Sequence, residues 1–554
     1  MAHPFGLGLQ TFVVGGTCLA LGKAAEALGY PLFQDFYYGI AGIAVAAAGL
    51  TLARQWRRSR TVGKMLRPTG TYGKARLASQ KDAIEFGLGG KIDGKGIFLG
   101  AIGKTPLIYR GLSHVVSVAP NAAGKTASIT MPNAMSIGWN LVCTDKGGEV
   151  AARTWKHRRD VLNQTVVVIN PWNLFAALGL PNHHFNPVGH LPALVGSPEL
   201  VDAARAVASI LIPDPPTRGE NQFFRDAAKD LLTWLLIYLA HLEADTGELA
   251  CNLCYLYNLV CGSKEDLDEC LAAMVRAEDY GNGAVTKAGG RIKARAERNA
   301  KTFESILAEV QNGLALFDPL GPLGKTTEYS DFDPADLKNK PMSIFIAAPP
   351  EKLNGPYGTW AGLVVDSLIR TVMQARTLHP RVTFLLDEFA NLSTGALPSI
   401  TPALYVGRSY GCQLHLLVQD RTSFKRYPEP SAFETQMEVM QFWGVRSIDD
   451  AKWLEERAGI TSIITESGSL PVTEGRAVAD GKYSMSLSEK GVPVVSKGNA
   501  LQLPDYKQLI IFKNQPVILA DLISYRMIDP LLTQAASLPG DENEPDLPIR
   551  FTLP

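Results

Sequence analysis

Two stretches near the amino terminus carry no charged residue, Pro4 to Gly22 and Phe36 to Ala53. As helices rising about 1.5 Å per residue they would be roughly 27 to 29 Å long, enough for a hydrocarbon core of about 30 Å. The first lacks the basic start and small-residue cleavage site of a secretory leader, so both are expected to span a membrane. Arg54, Arg57, Arg58, Arg60 and Lys64 follow the second stretch, whereas the link from Lys23 to Asp35 carries only Lys23, Glu26 and Asp35. Basic flanks stay on the cytoplasmic side, which makes residues 1–60 a membrane hairpin with a very short outer loop and places the rest in the cytoplasm.

Beyond residue 60 the pattern switches between two periods. Apolar runs at 114–119, 139–144 and 165–169 read as strands separated by helical patterns, and strand signals then stop until Met342-Ser343-Ile344-Phe345-Ile346. Within that gap apolar residues recur at helical spacing: Phe224, Ala228, Leu231, Leu235 and Leu239 share one face, as do Phe303, Ile306, Val310 and Leu314. The run Leu231 to Ala240 is too short to span a membrane and reads as a core helix. The expected class is α/β: a parallel sheet built from 61–199 and 326–535, interrupted by an all-α domain at 200–325. Leu509-Ile510-Ile511-Phe512 and Val517-Ile518-Leu519-Ala520 should close the sheet. Ser462 to Gly498, rich in Ser, Gly, Val and Thr, is expected to be mobile loop and edge hairpin. Residues 536–554, acidic from Gly540 to Asp546, are expected to form a disordered tail.

Gly-Lys-Thr occurs at Gly103, Gly124 and Gly324, so the tripeptide decides nothing without its surroundings. A phosphate-binding loop needs a buried strand before it and a helix after it, so that backbone N–H groups and the helix N-terminus converge on the anion. The first copy is followed by Pro106 and a strand-like run, and the third follows the turn residues Asp318-Pro319-Leu320-Gly321-Pro322. The second copy ends Ala119-Pro120-Asn121-Ala122-Ala123-Gly124-Lys125-Thr126, with the alternating run His114 to Val118 before it and a helical pattern after it. It is the expected phosphate loop for ATP, with Lys125 on the β/γ-phosphates and the Thr126 hydroxyl on Mg²⁺. Ala119 replaces the first Gly of the general pattern, which requires a turn without positive φ there.

A second buried run, Val382 to Leu386, ends in Asp387-Glu388. Asp387 is expected to hold the Mg²⁺ shell and Glu388 to polarise the attacking water. A third, Cys412 to Val418, ends in Gln419, placed to sense the γ-phosphate or the lytic water.

The chain has 54 Lys+Arg and 54 Asp+Glu among 554 residues, a balance that argues against a general nucleic-acid coat and restricts any such contact to a local patch. Lys287, Arg291, Lys293, Arg295, Arg298 and Lys301 form one candidate, though Glu297 and Glu304 interleave as on a solvated helix face. Seven sparse cysteines read as reduced thiols. Cys251 and Cys254, with Cys261 and Cys270, could make a zinc site or, lying among Leu253, Leu256 and Leu259, buried thiols.

Taken in order, these features resemble the type IV coupling protein family, the ATPases of conjugation and type IV secretion. The resemblance runs through the amino-terminal hairpin, Ala119 to Thr126, Pro132-Asn133, Asp145-Lys146-Gly147-Gly148-Glu149, Phe185-Asn186-Pro187, Leu386-Asp387-Glu388-Phe389, Gly407-Arg408-Ser409-Tyr410-Gly411 and Gln419. It departs from the family after Asp145, which has no following Pro and one extra Gly. It implies a RecA-like nucleotide-binding domain with an inserted all-α domain, ATP and Mg²⁺ as ligands, a homo-hexamer and a multi-pass position in the bacterial inner membrane. Arg408 becomes the candidate finger reaching a neighbour's nucleotide. The implied partners are secretion-channel components and a relaxase–DNA complex or effector proteins, with single-stranded DNA a further candidate. Two other readings stay open: a nucleotide-gated cargo receptor without motor activity, and a DNA pump of the chromosome-segregation type.

Overall fold

The computed structural model describes residues 4–65, 68–214, 222–469, 484–529, 531–539, 541 and 547–552. They divide into two compact units, one made of 1–76 with 455–496 and the other of 77–454 with 497–554. The division differs from the expected boundary at residue 60, because the chain after the hairpin pairs with a distant segment.

In the first unit, helices Pro4–Ala27 and Pro31–Met65 turn back on each other through Leu28 to Tyr30, with Gly29 at φ 75°. Small residues let them approach: Ala41, Ala44 and Ala48 are buried, and a side chain at Gly22 would meet the Tyr38 ring at 2.7 Å. Among the described residues, Pro31–Arg54 is long and apolar enough to cross a membrane. A fragment lacking residues 1–60 is expected to stay in the supernatant after high-speed centrifugation of lysed cells, and its recovery as an integral membrane protein would contradict the hairpin anchor.

The same unit holds a two-stranded antiparallel ribbon whose strands, Ile460–Ser469 and Ser484–Pro493, run in register from Ile460 opposite Pro493 to Ser469 opposite Ser484. Of the stretch expected to be mobile loop and edge hairpin, the described residues 462–469 and 484–493 are strand, paired as this ribbon outside the main sheet; residues 470–483 lie outside the described set. Residues 73–75 extend the ribbon, Ser462 N–H donating to Gly73 O at 3.0 Å and Ala75 N–H to Ile460 O at 3.2 Å. Glu489 pins this segment by accepting from the Thr69 hydroxyl at 2.6 Å and the Gly70 N–H at 2.9 Å. The Thr69 hydrogen bond is the main cause holding its carboxyl down to about 2.

The second unit is built on an eleven-stranded sheet. In chain order its strands are β1 (Ile97–Ile102), β2 (Thr105–Tyr109), β3 (His114–Val118), β4 (Asn140–Lys146), β5 (Thr165–Ile169), β6 (Met342–Ala348), β7 (Val382–Leu386), β8 (Cys412–Val418), β9 (Met437–Phe442), β10 (Lys507–Phe512) and β11 (Ile518–Asp521). Their spatial order is β2-β1-β11-β10-β9-β3-β8-β7-β4-β6-β5. From β9 to β5 all pairings are parallel. β3, β6, β7 and β8 are buried along their whole length, which explains why apolar residues dominate them even though each carries a polar residue.

The sheet is mixed rather than purely parallel. β10 and β11 do not close an edge; they stand between β9 and the β1–β2 hairpin, with antiparallel pairings throughout. β9 has no counterpart among the expected strands, because Glu438 and Gln441 interrupt its apolar pattern. Glu438 accepts from the Tyr109 hydroxyl at 2.7 Å, and Gln441 bonds Ser117, Leu99 O and Gln508 inside the sheet.

Between β5 and β6 the described residues contain helices and turns only, from Glu199–Leu211 to Pro322–Thr326. The described part of the expected disordered tail is fastened. Arg153 holds Asp541 at 2.7 and 2.5 Å, Leu538 is buried, and Phe551 pairs with Ile528. Residues 542–546 lie outside the described set.

Candidate nucleotide-binding site

Parallel strands deliver their C-terminal ends to one side of a sheet, and ligands gather where those ends meet. Here the adjacent strands β3, β8 and β7 bring Ala119, Gln419 and Asp387-Glu388 to that edge. Ala119 N–H donates to Val418 O at 2.9 Å, which ties the start of the loop to β8. Positive φ falls on Ala122 (60°) and Gly124 (76°) and not on Ala119, so the missing first glycine costs the turn nothing. Ala122 carries the left-handed strain, on the order of 1 kcal/mol for a residue with a Cβ.

Past Gly124 the chain is helical to Ser136, its first turn, Thr126–Thr130, wound as a π-turn. Asn133 anchors this helix to β1: its amide donates to Phe98 O at 3.0 Å and accepts from Phe98 N–H at 2.8 Å. Among the described residues, the N–H groups of Asn121, Ala122, Ala123 and Gly124 donate to no protein acceptor. These exposed donors at a helix N-terminus form an anion cradle. The other copies are built differently: Gly103 and Lys104 turn the β1–β2 hairpin, and Gly324 to Thr326 lie in the short helix Pro322–Thr326.

Lys125 is buried, its Nζ donating to Ala119 O at 3.1 Å and standing 3.6 Å from Glu388 Oε1. Glu388, at φ 50°, has its carboxylate gripped from four directions. Lys125 at 3.6 Å and Lys146 at 3.5 Å face Oε1; Gln419 Nε2 at 3.1 Å and Asn391 Nδ2 at 3.4 Å donate to Oε2. Asp387 is buried beside it and accepts the Glu388 N–H at 3.0 Å. Burial, and then the Glu388 charge, push the Asp387 carboxyl up to about 6. Among the described residues no hydrogen bond joins Thr126 to Asp387. The structure thus brings together Lys125, Glu388 and Gln419, with Asp387 alongside.

Arg408 is elsewhere. It is exposed in the turn Gly407–Tyr410 before β8, near His114 at the start of β3, whose protonation is disfavoured mainly by burial and further by the Arg408 charge. Seven residues of β8 separate it from Gln419, about 23 Å of strand. It cannot reach the loop of its own chain.

Two further residues, neither among the expected site residues, contribute to the site. Trp443, just past β9, donates its indole N–H to Ala123 O at 2.6 Å and its backbone N–H to Val118 O at 3.3 Å, bracing the phosphate loop. Lys146, at the end of β4, is the second. Asp145 before it is a capping group, its carboxylate accepting the Ala151 N–H at 2.7 Å while burial pushes the group up to about 7. The extra glycine is used in that turn, with Gly147 at φ 98° and Gly148 at φ 76°.

Cys251, Cys254 and Cys270 are buried, and burial raises each thiol. Among the described residues no group of His, Cys, Asp and Glu could hold a metal ion on its own. In the basic stretch, Arg291 pairs with Asp230 at 2.8 Å.

Residues 57–538 match the family described as Type IV secretory system Conjugative DNA transfer. The chain belongs to that family. Conjugal transfer protein TraG of Escherichia coli is 23% identical over 473 residues, covering 79% of this chain and 72% of the relative. Protein VirD4 of Agrobacterium fabrum (strain C58 / ATCC 33970) is 22% identical over 421 residues, 74% of this chain but 58% of the relative. The solved bacterial conjugative coupling protein TrwBdeltaN70 superimposes with a TM-score of 0.57 at 16% identity, covering 81% of this chain and 93% of that one. TrwB has also been solved with the ATP analogue ADPNP (TM-score 0.57, 14% identity, 81% and 93% covered) and with ADP and Mg²⁺ (0.55, 14%, 81% and 94%). These likenesses show the α/β nucleotide-binding fold of the coupling proteins.

Proposed function

We propose that this coupling protein hydrolyses ATP to deliver relaxase–DNA or effector-protein cargo to a type IV secretion channel. It is anchored in the inner membrane by the hairpin of residues 1–60 and works as a homo-hexamer, with residues 200–325 as an inserted all-α domain. The observation that carries the reading is the convergence of Lys125, from the loop after β3, on Glu388, from the end of β7, beside an anion cradle.

The residues present fit ATP and Mg²⁺. The open N–H groups of Asn121 to Gly124 suit phosphate oxygens, and Lys125 supplies the positive charge. Thr126 and Asp387 would hold Mg²⁺, which supplies further neutralisation of phosphate charge. Glu388 takes the proton of the attacking water as general base, and Gln419, bonded to it at 3.1 Å, orients carboxylate and water together. Lys125 Nζ stands 3.6 Å from Glu388 Oε1, so its charge is shared with the carboxylate, and serving phosphate draws it away from Glu388. Arg408 is exposed at the far end of β8 from its own chain's loop, and in the ring it is the candidate finger for a neighbour's nucleotide.

Phosphate release by the full-length protein in detergent tests the reading. ATP turnover is expected, rising when single-stranded DNA is added and most steeply at low salt, where phosphate contacts are strongest. A chain that binds ATP and never turns it over, with or without DNA or secretion substrates, is a nucleotide-gated receptor instead.

A further inference from the structure

The carboxylate of Glu388 is matched to more positive charge than a general base needs. Lys125 at 3.6 Å and Lys146 at 3.5 Å address the same oxygen, Oε1. The nucleotide-site reading above accounts for Lys125 and leaves Lys146 without a task.

Lys146 reaches Glu388 by strand geometry. β4 and β7 pair in parallel with Asn140 opposite Val382 and Thr144 opposite Leu386, and continuing that register places Lys146 opposite Glu388. The Thr144 hydroxyl donates to Asp387 O at 2.9 Å, locking the two strand ends together. On its other side Lys146 pairs with Ala348 of β6, and Gly147 N–H donates to Ala348 O at 2.8 Å. Asp145 fixes the turn that follows by capping Ala151. The lysine is thus held on both flanks and partly open to solvent at 24% exposure, against 7% for Lys125.

We propose that Lys146 is a positioning residue: it keeps a counter-charge on Glu388 so that Lys125 can leave the carboxylate for phosphate. A buried carboxylate stripped of its partner is costly, so without Lys146 the separation of Lys125 from Glu388 would oppose nucleotide binding. With Lys146 in place the carboxylate keeps a cation on Oε1 and the Gln419 and Asn391 amides on Oε2. It then stays aligned for water after Lys125 has moved. The proposal rests on the nucleotide-site reading and adds a dependence between two side chains.

That dependence is measurable without turnover. Affinity for a fluorescent non-hydrolysable ATP analogue with Mg²⁺ is determined on the full-length protein in detergent, for Lys146→Met and Lys146→Arg in the native and Glu388→Gln backgrounds. Lys146→Met is expected to weaken binding about tenfold where Glu388 is present and less than about twofold where it is Gln, the coupling of two side chains in contact. Lys146→Arg should retain most of the affinity. Equal losses in both backgrounds would mean that Lys146 meets the phosphates itself, and no loss in either would mean that it does not relieve Lys125; each overturns the proposal. A native protein that binds no analogue would instead overturn the nucleotide site, and this inference with it.

Discussion

Replacing Lys125 by alanine is expected to lower nucleotide affinity at least 100-fold, about 2.7 kcal/mol, measured as equilibrium binding of a fluorescent ATP analogue. The magnitude follows from burial: the Lys125 side chain is 7% exposed, so its charge acts on phosphate through little intervening water. Removing it also leaves Glu388 with one lysine fewer, and an under-neutralised carboxylate beside the cradle repels the anion. Lys104→Ala and Lys325→Ala should stay within about twofold of the native value, because one lies in a hairpin turn and the other in a short helix without a preceding strand. An equal loss at either would mean that the wrong copy of Gly-Lys-Thr has been assigned.

Arg408→Ala is expected to leave ATP affinity unchanged and to lower turnover on the order of 10³-fold, the contribution of a fully engaged arginine finger. Because β8 separates Arg408 from its own chain's loop, the proposed role is one carried between subunits. Rings mixed from Arg408→Ala and Lys125→Ala subunits provide the check. Each variant is inactive alone, yet some mixed interfaces pair an intact loop with an intact finger, and part of the activity should return where subunits exchange. A monomeric ATPase whose rate is independent of concentration and unaffected by Arg408→Ala would rule out the ring.

What could be read from sequence and what could not separates along the chain. Lys125, Glu388 and Gln419 were legible because each lies just past a strand buried along its whole length, or in the loop that follows one, and apolar residues dominate such strands. Their convergence needed only the rule that parallel strands point one way. Lys146 was not legible as a partner of Glu388, since their meeting depends on the register of β4 against β7, strands 242 positions apart at this pair. Trp443 was hidden for a related reason. Its strand β9 carries Glu438 and Gln441 facing polar groups within the sheet, which breaks the apolar signature. Arg408 was picked out by family resemblance, and only the structure shows that it lies at the opposite end of β8 from Gln419 and its own loop. The ribbon of 460–469 and 484–493 read as loop and edge hairpin because its strands alternate weakly between polar and apolar residues. Asp145, by contrast, was legible as part of a motif but not as a helix cap, which depends on how Gly147 and Gly148 turn the chain.

If this site breaks the terminal phosphate bond of ATP with Glu388 activating the water, following bound ATP through a single turnover separates native from Glu388→Gln protein. Glutamine keeps the shape and hydrogen-bonding reach of the side chain but cannot accept the water's proton, so binding survives while chemistry stops. The native protein is expected to convert its bound ATP to ADP, and the Glu388→Gln protein to retain ATP at undiminished affinity with a rate lower by at least about 100-fold. Conversion at the native rate in Glu388→Gln would contradict the account and move the general base to another residue.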